Sequence, residues 1–437
     1  MKRYDSYKDS GVKWIGEIPS HWKIEPFGRH FQYGKGLPIT KANLQEKGIA
    51  VINYGQIHAK ENLGTTLSDG LVRYVSSKYL ETNPQSLLKQ GDFVFADTSE
   101  DIEGSGNVAF NDYPNPIFAG YHTVIAHPID LIFPKYDAYL FQSKYWKSQI
   151  QSLVNGVKVY SINKSIIKKS ILLFPPLPEQ RAIVSFLDTE LGKIDTYIDK
   201  EQQLIERLKE LKQSLIARAV THGINPNVKM KPSGINWIGE IPEHWNVKRL
   251  GSHFIENRHI NSELTVTEAY KFNYGTLIRK DIDVNLKEVE DIYRKYTLLN
   301  KNDIVINGLN LNYDFISQRV AKAETKGIIT SAYLVLTPRK GVDVNYFCYL
   351  FKAMDSQKLF HGMGSGIRLT LSFEDLKSQL LPIPPLSEQR AIVDYLQDKT
   401  SKIDKLITEK TRELEYIKEL RQRIISDAVT GKIDVRS

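Results

Sequence analysis

A single cysteine, Cys348, stands in 437 residues, and a lone thiol excludes an internal disulfide and any zinc site built on several cysteines. It reads as a small buried apolar residue. No run approaches the roughly eighteen apolar residues that a membrane helix needs. The N-terminal stretch MKRYDSYKDSG lacks the apolar core of a signal peptide. A cytoplasmic chain with no membrane partner is expected. Catalytic signatures are missing too. The Asn/Asp-Pro-Pro-aromatic stretch with which adenine methyltransferases hold a flipped base is absent, because TNPQ and YPNPIF lack the paired prolines. GRHFQYGKG (Gly28–Gly36) has five residues between its glycines and Gly36 after Lys35, so it fails as a phosphate-cradling loop. GMGSG (Gly362–Gly366) lacks the spacing and the preceding strand of a dinucleotide loop. Ten histidines include no HExxH and no cluster with metal spacing. The chain reads as non-enzymatic, with no catalytic residue, metal or cofactor of its own.

Charge is present in both signs. The net charge is +8, which suits an anionic partner, yet no segment is strongly basic. The largest local excess, in residues 158–233, is 13 basic against 8 acidic side chains. Nucleic acid, if bound, must be met by local faces.

Two duplications dominate what is there. WIGEIPSHW (Trp14–Trp22) returns as WIGEIPEHW (Trp237–Trp245), 223 positions later, and holds four of the five tryptophans. PPLPEQRAIVSFLDTELGKID (Pro175–Asp195) returns as PPLSEQRAIVDYLQDKTSKID (Pro384–Asp404) at an offset of 209. The plan is A–X–B–A′–Y–B′, with X and Y more divergent than the motifs around them. A chain this long is expected to fold as more than one domain.

B and B′ read as long helices entered through paired prolines. Apolar residues recur in steps of three and four at Val184, Leu187, Leu191, Ile194, Ile198, Ile205 and Leu208, continuing after a skip at Leu211 and Leu215. Val393, Leu396, Ile403, Ile407, Leu414, Ile417, Leu420 and Ile424 repeat the stripe. A narrow stripe over several heptads indicates a coiled coil; the alternative is two unconnected amphipathic helices, each on its own domain. An antiparallel pairing about a pseudo-twofold sets Leu187 opposite Ile424, Leu191 opposite Leu420 and Leu215 opposite Leu396. At the midpoint Glu201 faces Lys410, a charged pair that fixes register more than it stabilises.

X and Y read as mixed α/β, with short β-branched or aromatic runs such as GDFVFADT and NDIVINGL between turn signals. Landmarks suggest one fold twice: Asn53-Tyr54-Gly55 with Asn273-Tyr274-Gly275, Asp92 with Asp303, and Tyr139-Leu140-Phe141 with Tyr349-Leu350-Phe351.

On SGVKWIGEIPSHW with SGINWIGEIPEHW, PPLPEQRAIVSFLD with PPLSEQRAIVDYLQ, and their alternation, the sequence strongly resembles the specificity subunit of type I restriction–modification enzymes over essentially its whole length. The resemblance implies an α+β protein. Two target recognition domains would each read half of a split, asymmetric site on double-stranded DNA, separated by an antiparallel coiled coil of two long spacer helices. The expected division is 1–157 and 231–366 for recognition, 158–230 and 367–437 for the spacers. It also implies two modification subunits that bind S-adenosylmethionine and methylate adenine at N6, and restriction subunits with ATP- and Mg-dependent translocase and nuclease activity. The other class of reading is a coiled-coil adaptor whose two globular domains bind proteins.

Candidate DNA contacts follow from residue type, since phosphates are met by cations and polar groups and bases by amides and rings. They are Lys35, Asn53, Tyr54, Lys158 and Tyr160 in the first copy. Asn273, Tyr274, Arg279, Lys280 and Arg368 are those of the second. Lys158 and Arg368, each near a glycine ahead of a spacer helix, suit phosphate anchors. The acidic run EDIEG (Glu100–Gly104) should avoid DNA or accept from a cytosine amino group. Glu179, Gln180 and Arg181, repeated as Glu388, Gln389 and Arg390, suggest either an interface for a partner subunit or a polar lock on the recognition domain. His21 and His244 are expected to pack within the tryptophan motif.

Overall fold

The computed structural model describes residues 2–12, 15–129, 133–154, 159–280, 286–364, 366 and 369–436; Trp14, Lys158 and Arg368 lie outside them. The chain forms two compact units, one of residues 1–201 with 412–437, the other of 202–411. The cuts therefore fall within the long helices, and each unit takes part of both.

Each unit is built on a four-stranded antiparallel sheet with the same strand order. In the first, strand Phe31–Lys35 pairs with Thr123–Pro128, which pairs with Phe93–Ala96, which pairs with Val108–Phe110. In the second, Phe254–Glu256, Leu334–Pro338, Ile304–Ile306 and Val320–Lys322 follow each other identically. Phe93–Ala96 and Ile304–Ile306 are buried along their whole length, as central strands covered on both faces must be. The paired aspartates start them. The Asp92 carboxylate accepts from Lys89 N at 2.6 Å and the Asp303 carboxylate from Asn300 N at 2.8 Å, side-chain turns that close the chain just before each strand.

A smaller layer is also repeated. Ile49–Ile52 runs parallel to Ile117–Ala119 and antiparallel to Arg73–Val75, with Leu87 bridging Phe118. In the second unit Ala269 bridges Ile328 in parallel, Thr297–Leu299 pairs with Gly327–Ile329, and Tyr270–Asn273 pairs with Thr276–Arg279. The Asn-Tyr-Gly landmarks thus follow equivalent strands and then part. Asn53 starts a short helix, Tyr54–Ile57. Tyr274 and Gly275, with φ of 42° and 79°, form a two-residue hairpin turn of the kind that needs positive φ twice.

The spacer segments are helices of 46 residues, Leu177–His222, and 44 residues, Leu386–Val429. Gly223 and Gly431 follow them at φ of 75° and 70°, the left-handed C-terminal position where glycine carries no Cβ strain. Within the first unit Leu187 and Leu191 share a core with Ile424, Ile425 and Ala428. Within the second, Ile216, Ala219 and Val220 share one with Ile392, Val393 and Leu396.

The seam does not take in every leucine of the sequence stripe. Leu211 and Leu420 are 53% and 44% exposed, so neither belongs to it. Its heptad steps pass instead through Lys212 and Arg421, whose charged ends reach Asp404 and Asp195 at 2.6 and 2.7 Å. Leu187 and Ile424, opposite each other in the sequence register, share the first core, and Leu215 packs against the core that holds Leu396; it is Leu420 that leaves the seam, one residue before Arg421. A basic residue on a seam reads from sequence as a polar interruption, because its apolar stem and outward charge are separable only in three dimensions. Glu201 belongs to the first unit and Lys410 to the second, and their pairing rests on the sequence register alone.

Candidate nucleic-acid interface

The two duplicated motifs meet in each unit. His21 Nε2 lies 2.8 Å from Glu179 Oε2, and Trp22 Nε1 donates to Glu179 Oε1 at 3.0 Å. His244 Nε2 lies 2.7 Å from Glu388 Oε2. The next residue ties the long helix to the start of a helix that follows the four-stranded sheet, Pro134–Gln142 in the first unit and Val344–Ser356 in the second. Gln180 Oε1 accepts from Phe133 N at 3.3 Å while its amide donates to Pro175 O at 3.0 Å. Gln389 repeats both bonds, with Asp343 N at 2.9 Å and Pro384 O at 2.9 Å. Glu179, Gln180 and Gln389 are buried. Arg181 and Arg390 face solvent, Arg181 lying 5.8 Å from the Phe133 ring. The Glu-Gln-Arg repeat therefore divides into an inward lock and an outward cation.

A tyrosine clamp without a sequence signal of its own is repeated as well. The Tyr136 hydroxyl donates to Leu173 O at 3.1 Å and Val429 O at 3.2 Å. Tyr346 does the same with Pro382 O at 3.2 Å and Val220 O at 2.9 Å. Each tyrosine satisfies a carbonyl in the last turn of a long helix, where no intrahelical donor exists. Cys348 is half-buried on the second core, and burial pushes its thiol pKa up.

Of the first unit's candidate contacts, Lys35 is exposed at its strand end and shares a cleft with His122, Ser161 and Lys164. Tyr160 pairs beside that cleft, opposite Ser99. Asn53 is not available to a base. It is 1% exposed, and its amide is engaged with Gln56 at 3.1 Å and Tyr121 N at 3.3 Å. Tyr54 remains accessible in a cluster with Tyr121 and His122, at 5.6 and 5.5 Å between ring centres. The acidic run borders the same region: Glu100, Asp101 and Glu103 line a cleft with Tyr54, His58 and Lys147. In the second unit Tyr274 stands 70% exposed at the hairpin tip. Arg279 makes an exposed pair with Glu268 at 2.9 Å. Lys280 donates to the Tyr296 hydroxyl at 3.1 Å.

Residues 307–319, between the strands Ile304–Ile306 and Val320–Lys322, form a loop the sequence did not single out. Arg319, 1% exposed, donates to Asn307 O at 3.0 Å, Leu309 O at 2.8 Å and Asp314 O at 2.8 Å. The backbone amide of Ser317, with that of Ile316, holds the Asp314 carboxyl down at about 2. A loop so held presents Tyr313, Phe315 and Ile316 at 77%, 54% and 91% exposure. An arginine in sequence reads as a surface cation, so nothing there marks Arg319 as the loop's interior post. Among the described residues no group of three or more His, Cys, Asp or Glu could hold a metal ion. No described helix is long and apolar enough to cross a membrane.

The model of the type I restriction modification DNA specificity domain matches this chain twice, over residues 19–210 and 242–416. The type I restriction enzyme MjaVIII specificity subunit of Methanocaldococcus jannaschii is 24% identical over 460 residues, 99% of this chain and 98% of the relative. The EcoKI specificity subunit of Escherichia coli is 21% identical over 435 residues, 96% and 90% of the two chains. A solved chain described under "complex assembly and conformational transition of the type I R-M system" aligns at a TM-score of 0.65 and 15% identity, covering 95% of this chain and 99% of that one. Each matched segment takes in one four-stranded sheet and most of one long helix, so the duplication in the sequence is a duplication of that domain, and the chain belongs to the type I restriction–modification DNA specificity family.

Proposed function

We propose that this chain is the non-catalytic, DNA-reading subunit of a type I restriction–modification complex, and that its two units read the two halves of an asymmetric, bipartite site. The observation that carries this is one four-stranded scaffold repeated in order and register while the segments between its strands differ. Lys35, Tyr54 and Tyr160 serve as contacts in the first unit, and Tyr274, Arg279 and Lys280 in the second. Lys158 and Arg368 are phosphate anchors. Arg181 and Arg390, the outward members of a repeated motif, face two copies of a modification subunit. S-adenosylmethionine belongs to that subunit, and ATP and Mg to the restriction subunits, in the cytoplasm.

Purified chain should transfer no labelled methyl group to DNA, and should gain that activity only with modification subunits added. The assembled complex should bind DNA with an affinity that falls steeply with salt, as counterion release requires. Methyl transfer by the chain alone, or salt-independent binding, would refute the proposal.

A further inference from the structure

We propose that residues 307–319 are the specificity-determining loop of the second unit, and that Phe315 and Ile316 enter the groove of one half-site to read apolar features of its base edges, the thymine methyl above all. This rests on the DNA-reading function proposed above.

An isoleucine 91% exposed beside a phenylalanine 54% exposed is an unusual display on a surface that favours polar groups. Its presentation is built rather than loose. The buried Arg319 guanidinium gathers three carbonyls of the loop, and Arg319 N donates to Asp355 Oδ2 at 2.7 Å. His361 Nε2 lies 3.0 Å from Asp314 O, and its ring stacks on Phe315 at 4.6 Å between centres. Five anchors fix a backbone that holds Phe315 against His361 and leaves Ile316 in solvent, which is the preorganisation that readout needs. One exposed amide flanks the tip, while that of Gln318 turns inward and donates to Asp355 Oδ2. Asn310 is exposed, and Gln318 packs against the hairpin turn, since a Cβ on Gly275 would lie 2.6 Å from its Cγ. Apolar side chains beside an exposed amide suit base edges, where thymine offers a methyl and adenine a donor–acceptor pair.

The first unit holds the same loop in the same place, between Phe93–Ala96 and Val108–Phe110. It too is anchored, by Lys147 Nζ on the later helix Lys144–Gln151 donating to Asn107 Oδ1 at 3.0 Å, and by His58 at the end of the earlier helix Tyr54–Ile57, which Asn107 Nδ2 reaches at 3.2 Å. Its tip carries Glu100, Asp101 and Glu103. A protein partner common to both units would meet three carboxylates in one and three apolar side chains in the other. Two different half-sites, in contrast, call for two different loops.

The test uses the full chain in complex with modification subunits and the methylated motif of the wild-type complex. Binding of the wild-type complex and of Phe315→Ala/Ile316→Ala is compared on duplexes altered in one half-site or the other. The variant is expected to lose about 5- to 100-fold of its discrimination at one half only, with an unchanged melting temperature because both side chains are exposed. Ile316→Val should retain the discrimination. Undiminished discrimination at both halves, or an equal loss at both, overturns the proposal. Loss of the modification subunit from a folded variant assigns the loop to protein docking and overturns it as well. If the wild-type motif does not depend on this chain, the failure lies with the DNA-reading function instead.

Discussion

The Arg421 guanidinium donates to the Asp195 carboxylate at 2.7 Å from a seam position where it is 12% exposed. Lys212 and Asp404 repeat the pair in the second unit at 2.6 Å, with 30% and 53% exposure. Equivalent residues thus exchange roles between the helices, as an antiparallel pairing of two copies demands.

The two pairs should not weigh equally. Asp195→Ala should cost about 1–2 kcal/mol, since it strands a largely buried cation. Asp404→Ala should cost under about 1 kcal/mol, because solvent screens the more exposed pair. Swapping both charges, Asp195→Arg with Arg421→Asp, should recover much of the first loss. Urea midpoints decide it, and equal costs at both sites would contradict the seam described.

Glu179 should prove structural. Glu179→Leu leaves the Trp22 indole N–H buried without its acceptor and is expected to cost about 1–3 kcal/mol. Glu179→Gln, which keeps an acceptor oxygen, should cost less. A Leu variant as stable as wild type would remove the inward lock.

Asp137 predicts a pH dependence. It is fully buried on the helix Pro134–Gln142, where the repeat has Phe347, and burial holds its carboxyl well above the usual carboxylate range. Between the unfolded and the raised native values the native state binds one more proton, so this group makes stability fall as pH rises through that window. Asp137→Leu should raise stability at pH 7 and flatten its decline from pH 5 to 8. An unchanged slope in urea titrations at those two pH values would count against the burial effect.

Gly36 should resist substitution. A Cβ there would fall 1.8 Å from Gly120 O, so Gly36→Ala must push apart the strand end that carries Lys35. The expected result is a lower melting temperature and weaker DNA binding together. A neutral outcome would mean the approach relaxes easily.

The duplication, the central strands and both long helices were legible because each rests on local periodicity or repetition: GDFVFADT carries its own strand and turn. What escaped depends on direction. Asn53 reads as a base contact until its amide is found engaged inside, and Arg319 reads as a surface cation until it is found holding three carbonyls. Lys212 and Arg421 look like breaks in an apolar stripe although they lie on it. The 307–319 loop is not legible because cations and amides mark DNA contacts in a sequence, and its tip is apolar.

The central claim, that this chain sets which DNA is methylated, is tested most directly by mapping N6-methyladenine across the genome of a host expressing the modification subunit with and without it. The account predicts a single asymmetric, bipartite motif present only with the chain. A continuous or palindromic motif, or one that persists without the chain, would contradict it.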